Sequence, residues 1–166
     1  MDIIIDGNAK ETFHINGFNF MTKSIQWRSG LNEDEEWLFD LFKRTMQQYV
    51  KSAWGWDELL QKESFKTALS IQRFRILVLN GHAIGAYHIS KKSDHLVLDM
   101  ILIEPEFQGQ GWGRSVLNKI KSEAKIFNLP IHLSVLKANP ASEFHLQQGF
   151  QEFDSDDHSL MMRWNG

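Results

Sequence analysis

The sequence predicts a mixed α/β (α+β) domain with a central, mostly antiparallel sheet flanked by helices. Three observations carry this. From Ser24 onward, alternating apolar stretches trade places with stretches of helical apolar spacing. Asn80-Gly81 sits between two alternating runs and is a strong hairpin signal, because both turn positions need positive φ. A glycine-rich loop opens directly onto a helix with Val116, Leu117, Ile120, Ala124 and Phe127 on one face. No internal repeat is present.

Residues 1–22 read as an N-terminal extension ahead of a single domain over 23–166. Phe13, Ile15, Phe18 and Phe20 among polar residues predict an added strand or an extended arm, with no catalytic role. Residues 24–28 form a short strand candidate. Asn32 with Glu35 resembles a capping box, and Leu38, Leu41, Phe42, Thr45, Met46 and Tyr49 then follow helical spacing. Asp57 is a plausible N-cap for a second helix through about residue 69. Strands are expected over 74–79, 83–91 and 95–103, the last two separated by a Ser93-Asp94 turn. Pro130 stops the helix that follows the glycine loop. Ile131, Leu133 and Val135 alternate as a strand, and Asn139-Pro140-Ala141 opens a short helix ending at Gly149. Residues 150–153 and 159–164 are the last strands.

Composition narrows the function. A chain of 166 residues suits one domain and buries roughly two-thirds of its unfolded surface. Hydrophobic residues at 42% and charged residues at 23% exclude a disordered chain. A net charge of −3 argues against a nucleic-acid partner. There are no cysteines, which excludes disulfides, thiolate metal sites and a cysteine nucleophile. No apolar run approaches the roughly 18 residues of a membrane span, and Met1-Asp2 with the short Ile3-Ile4-Ile5 run is no secretory signal. The expected compartment is the cytoplasm, without membrane association. The histidines are scattered with no ligand spacing, so no metal site is expected.

The segment Ile101-Leu102-Ile103 followed by Gln108-Gly109-Gln110-Gly111-Trp112-Gly113 is the most informative. Helix N-termini carry unpaired N–H groups and partial positive charge, and glycines let the backbone approach an anion closely. A P-loop is excluded because no Lys-Ser/Thr follows the last glycine, and a dinucleotide fingerprint because Arg114 holds the third glycine position. What remains is Gln-x-x-Gly-x-Gly, or a plain helix-capping turn.

This loop resembles the acyl-CoA pyrophosphate loop of the GNAT superfamily of N-acetyltransferases. Asn139-Pro140-Ala141-Ser142-Glu143-Phe144-His145-Leu146-Gln147-Gln148-Gly149-Phe150 resembles that superfamily's other signature, Asn-x-Ala-x-x-Phe/Leu-Tyr-x-x-x-Gly-Phe. The resemblance spans residues 24–164. It implies a GNAT fold in which the strand before the loop and the next strand splay apart around acetyl-CoA. Pantetheine then lies along Ile101, Leu102 and Ile103. Pyrophosphate lies on the amides from Gln108 through Gly109, Gln110, Gly111, Trp112 and Gly113 to Arg114, with the Gln108 side chain helping. Asn139 and Phe144 contact the cofactor. A homodimer is a common assembly in the superfamily and is open here.

The implied reaction is direct acetyl transfer to an amine of a small molecule or protein. The absence of cysteine fits direct attack. The family's usual Tyr acid is replaced by His145; the two tyrosines, Tyr49 and Tyr87, lie elsewhere. A histidine can donate a proton near neutral pH, so His145 is the acid candidate, or it only packs. Asp99 shares strand parity with Ile101 and Ile103 and is the favoured base, with Glu104 second and His132 third. The run Tyr49 to Glu58 resembles a bacterial GNAT subgroup with Trp-Gly-Trp-Asp-Glu. It implies an acceptor wall of Tyr49, Trp54 and Trp56, joined by His158, with paired indoles suited to a cationic amine. The alternative is that both indoles pack a helix junction. A non-catalytic acyl-CoA-binding module is the competing function.

Overall fold

Alternating apolar strands can bury two faces only if helices cover both, and that is the arrangement found. The computed structural model describes residues 25–166, so the expected N-terminal extension lies outside the described residues. The elements are β1 (Ile25–Ser29), α1 (Glu35–Trp54), α2 (Glu58–Ala68), β2 (Arg75–Leu79), β3 (His82–Lys91), β4 (Leu96–Ile103), α3 (Trp112–Phe127), β5 (Ile131–Leu136), α4 (Ala141–Gln147), β6 (Gln151–Ser155) and β7 (Ser159–Trp164). One seven-stranded sheet runs in the order β1-β2-β3-β4-β5-β7-β6. Every neighbouring pair is antiparallel except β4 with β5.

The α3 stripe Val116, Leu117, Ile120 and Ala124 is fully buried against Leu96, Leu98, Ile103 and Tyr87 on one face of the sheet. On the other face, Leu38, Leu41 and Phe42 of α1 and Phe65 of α2 pack on Ile76, Ala86 and Leu102. Each such large side chain contributes roughly 1.5–3 kcal/mol of burial. Asn80 and Gly81 take φ of 50° and 85°, so the β2–β3 turn is the one the sequence specifies.

Two helix ends differ from the expectation. Asn32 does not cap α1; residues 32–34 form a short 3₁₀ turn, and the Asp34 carboxylate accepts the Leu31 N–H at 2.7 Å. Asp34 also takes a two-pronged bond from Arg28 at 2.6 and 2.8 Å, which ties β1 to the helix start. Arg28 keeps that carboxyl below its ordinary range. At the end of α3, Asn128 terminates the helix in a left-handed conformation two residues before Pro130. Asp57 does cap α2, accepting the Leu60 N–H.

Two departures from regular pairing position the site. The parallel pairing of β4 with β5 covers only Leu96↔Ile131, Val97↔His132 and Leu98↔Leu133, after which the strands part. At the same point β4 carries a β-bulge. Met100 faces His88 and Leu98 faces Ile89, leaving Asp99 as the extra residue. No helix among the described residues is long and apolar enough to cross a membrane.

Candidate active site

The parted strands open a cleft with two halves. The first holds about 570 Å³ and is lined by Ile101, Leu102, Ile103, Gln108, Gly109, Gly111, Gly113, Arg114, Asn139 and Phe144, with Thr45, Met46 and Tyr49 from α1. The second holds about 340 Å³ and includes Asp99, Met100, Leu133, Val135, Met46, Val50, Trp54 and Gln61. Met46, Ile101, Asn139, Ala141 and His145 line both.

The loop half is a main-chain site. Gly109 and Gly111 hold φ of 72° and 89°, a region that costs other residues strain. The amides of Trp112, Gly113 and Arg114 precede the first intrahelical bond, from Ser115 N–H to Gly111 O at 3.1 Å. Gly113 is bare for a steric reason: a Cβ there would lie 3.1 Å from the Phe144 ring. The Gln108 side chain donates to Ile103 O at 2.9 Å and the Gln110 side chain to Glu106 O at 2.7 Å. Both therefore brace the loop, and Gln108 lines the cleft from that position. Gln110 and Trp112 are not among the lining residues. Asn139 is buried; its Oδ1 accepts the Ala141 N–H at 2.9 Å and starts α4.

The carboxylate half is a side-chain site built around Asp99. The parity expectation needs correction here. The bulge breaks the alternation, so Asp99 does not share the face of Ile101 and Ile103, which pack toward α3. Its Oδ2 accepts from Ser90 Oγ at 2.5 Å and His88 Nδ1 at 2.9 Å, and His88 packs edge-on to Phe74 on the α1–α2 side. Asp99 thus reaches the cleft through the bulge. Burial by itself would raise its pKa; the hydrogen bonds from His88 and Ser90 outweigh that and leave it lowered. The carboxylate is ionised at neutral pH.

His145 lies at the junction of the two halves, 4% exposed, between the rings of Phe144 and Phe150. Burial, and then the positive charge of Lys121, push its pKa down to about 4. The expectation of an imidazolium donor near neutral pH therefore needs revision: the ring is neutral there and carries a single N–H. Its Nδ1 is buried without a protein partner.

The other candidates separate. Glu104 accepts from Trp37 Nε1 at 2.9 Å and from Arg44 at 2.8 and 3.0 Å, and lines neither half. His132 stacks on His95 at 4.2 Å at the paired end of β4 and β5, away from the cleft. Tyr49 sits in the loop half and not on a wall with Trp54. The paired indoles are split. Trp54 lines the carboxylate half and meets His158 edge-to-face at 5.5 Å. Trp56 packs on Phe42 at 6.1 Å and donates to Glu58, so it belongs to the helix junction. Tyr87 is buried in the core, donating to Glu123; burial drives its pKa up.

Sequence reasoning missed His88, Ser90, Met100 and Gln61. His88 and Ser90 meet Asp99 only through strand pairing, which leaves no local signal. Met46 was visible, but only as one more apolar position in a helical stripe.

Comparison with known proteins bears on the family and the fold. The profile of the acetyltransferase (GNAT) domain family matches residues 44–159. Among solved structures, the PaiA N-acetyltransferase of Thermoplasma acidophilum in complex with coenzyme A superposes with a TM-score of 0.71 at 17% identity, over 84% of this chain and 98% of that one. The ribosomal-protein-S18-alanine N-acetyltransferase of Escherichia coli gives a TM-score of 0.64 at 20% identity, over 84% and 92%. Ard1 of Thermoplasma volcanium gives 0.65 at 16% identity, over 84% and 96%. No curated protein matches the chain by sequence.

Proposed function

The chain belongs to the GNAT acetyltransferase domain family, whose acetyl donor is acetyl-CoA, and we propose that it transfers acetyl directly to the nitrogen of a primary amine. The observation that carries this reading is the pairing of opposites across one cleft. A glycine loop with Arg114 lies at one end, and a single ionised carboxylate, Asp99, lies at the other.

The chain's residues fit the donor. The left-handed glycines and the helix N-terminus offer amides to a pyrophosphate, and Arg114 adds a cation. The β4 main chain beyond Leu98 is unpaired on the gap side, so Ile101 to Ile103 can bind an extended amide chain and polarise a carbonyl with an N–H. Asn139 walls the junction and Phe144 the loop half. Acetyl-CoA supplies an activated thioester when bound. Asp99, held by His88 and Ser90, anchors the acceptor nitrogen. A carboxylate with a lowered pKa is a better anchor than base, so the amine's proton passes onward to water at the Trp54 mouth. The neutral His145 offers an N–H hydrogen bond to the departing thiolate at the position where the family has Tyr, and the thiolate takes its proton from water.

A thiol-release assay with acetyl-CoA and a panel of amines tests the reading; transfer predicts amine-dependent thiol release. The buried, neutral His145 favours one second reading, a non-catalytic acyl-CoA-binding module. Coenzyme A binding by calorimetry with no thiol release on any amine would establish that instead.

A further inference from the structure

The carboxylate half has a composition that specifies more than an amine. Among the described residues, Asp99 is the one ionised side chain in its wall at neutral pH. Both bonds from His88 and Ser90 fall on Oδ2, so Oδ1 has no hydrogen-bond partner among the described residues. The rest of the wall is dominated by Phe42, Met46, Val50, Met100, Leu133 and Val135. Gln61, Ser134, Asn139 and Ser159 add uncharged polar groups to it, so a second positive charge would lose hydration there without a carboxylate to pair with. At about 340 Å³ the space lies at the small end of ligand sites, roughly 300–1,000 Å³. Trp54 stands at the mouth, 61% exposed and edge-on to His158, a large apolar side chain open to solvent beside a cavity.

We infer that this half selects an amine with one positive charge and an apolar body, an arylalkyl or branched alkyl monoamine, its nitrogen on Asp99 Oδ1 and its body against the methionine and valine walls. The inference rests on the transfer reading for the position of the acceptor, and its test separates the two. A diamine would bring a second charge with no carboxylate in the wall to meet it, and an alcohol of the same shape would leave Oδ1 without its ionic partner.

The experiment is calorimetric titration of the full chain with coenzyme A present, using 2-phenylethylamine, 2-phenylethanol, 1,5-diaminopentane and a short peptide with a free N-terminus. The expected result is that 2-phenylethylamine binds at least roughly tenfold more tightly than each of the others, about 1.4 kcal/mol per tenfold. Asp99→Asn should bring amine and alcohol to within about twofold, a small remainder of that difference. Gln61→Glu adds a second carboxylate to the same wall without changing its shape, and should improve diamine binding by about fivefold through charge pairing. This gain keeps the inference testable if the Asp99 variant fails to fold. Tighter binding of the diamine or peptide, an amine-to-alcohol ratio near one, or no response to Gln61→Glu would overturn it. Thiol release read in parallel divides the outcomes. Selective amine binding without thiol release overturns transfer and leaves the selectivity standing. Thiol release that prefers diamines or peptides overturns the selectivity and leaves transfer standing.

Discussion

The two halves of the cleft recognise by different means. The loop half presents backbone: glycines at positive φ, amides of a helix start, and one strand with its inner side unpaired. The carboxylate half presents side chains delivered by α1, α2, β4, β5 and the segments around α4 and β7. A main-chain site is set by local geometry and tolerates change in most side chains, provided its glycines stay. A side-chain site depends on the register of strands and on the packing of helices far apart in sequence. The first kind suits a ligand common to a family, and the second suits the ligand particular to one member.

Each expected outcome sharpens or breaks that division. The largest concerns the loop. Gly111→Glu places a side chain at φ 89°, at a strain cost of roughly 1–3 kcal/mol, and sets a carboxylate where an anion should bind. Coenzyme A affinity measured by calorimetry should fall beyond about 100-fold, with like-charge repulsion adding to the strain. Retained affinity would remove the loop from the donor site.

Next comes a stability effect at the junction. His145 has a pKa of about 4 in the folded chain against roughly 6.5 unfolded, so the unfolded chain takes up its proton first. Its contribution is whole above about pH 6.5 and is lost as the pH falls toward 4, amounting to on the order of 3 kcal/mol. Denaturant unfolding of His145→Gln should lack that part of the acid loss. Identical pH dependence in both proteins would mean the ring is not buried neutral.

In the carboxylate half, Asp99→Asn should lower kcat/KM for amines by about 100-fold, in keeping with truncated charge pairs, while coenzyme A affinity stays within about twofold. A matching loss of coenzyme A affinity would dissolve the distinction between the halves. The smallest effect is on turnover in His145→Ala. Loss of one neutral hydrogen bond predicts roughly a tenfold fall in kcat at saturating donor. The pH–rate profile of the unaltered enzyme should show no inflection near 6.5 from this residue.

The sequence was most readable where structure is local. The hairpin at Asn80-Gly81, the α2 cap at Asp57 and the glycine loop all depend on neighbouring residues, and all appear in the structure. Side-chain parity along β4 holds only for a regular strand. The bulge at Asp99 has no sequence signal of its own, since nothing in Leu98-Asp99-Met100 marks an extra residue. The protonation of His145 was also hidden, because burial between two phenylalanines is a tertiary property. Trp54 and Trp56 are two residues apart and chemically alike, yet one reaches the cleft and one the core. Only the C-terminal end of α1 at Gly55, with φ of 83°, divides them.

The parting of β4 from β5 has a further consequence. Among the described residues it gives the sheet four edges instead of two: β1 and β6 outside, and two short inner ones beyond Leu98 and Leu133. Unpaired strand edges invite intermolecular pairing and aggregation. The inner pair is walled by α1 and α4, so an approaching strand from another molecule cannot lie flat against it, while a thin ligand can enter. The outer edge β6 is guarded differently, by Glu152, Asp154 and a register irregularity between them. The protein keeps its stickiest backbone on the inside, where the shape of the cleft limits what may touch it.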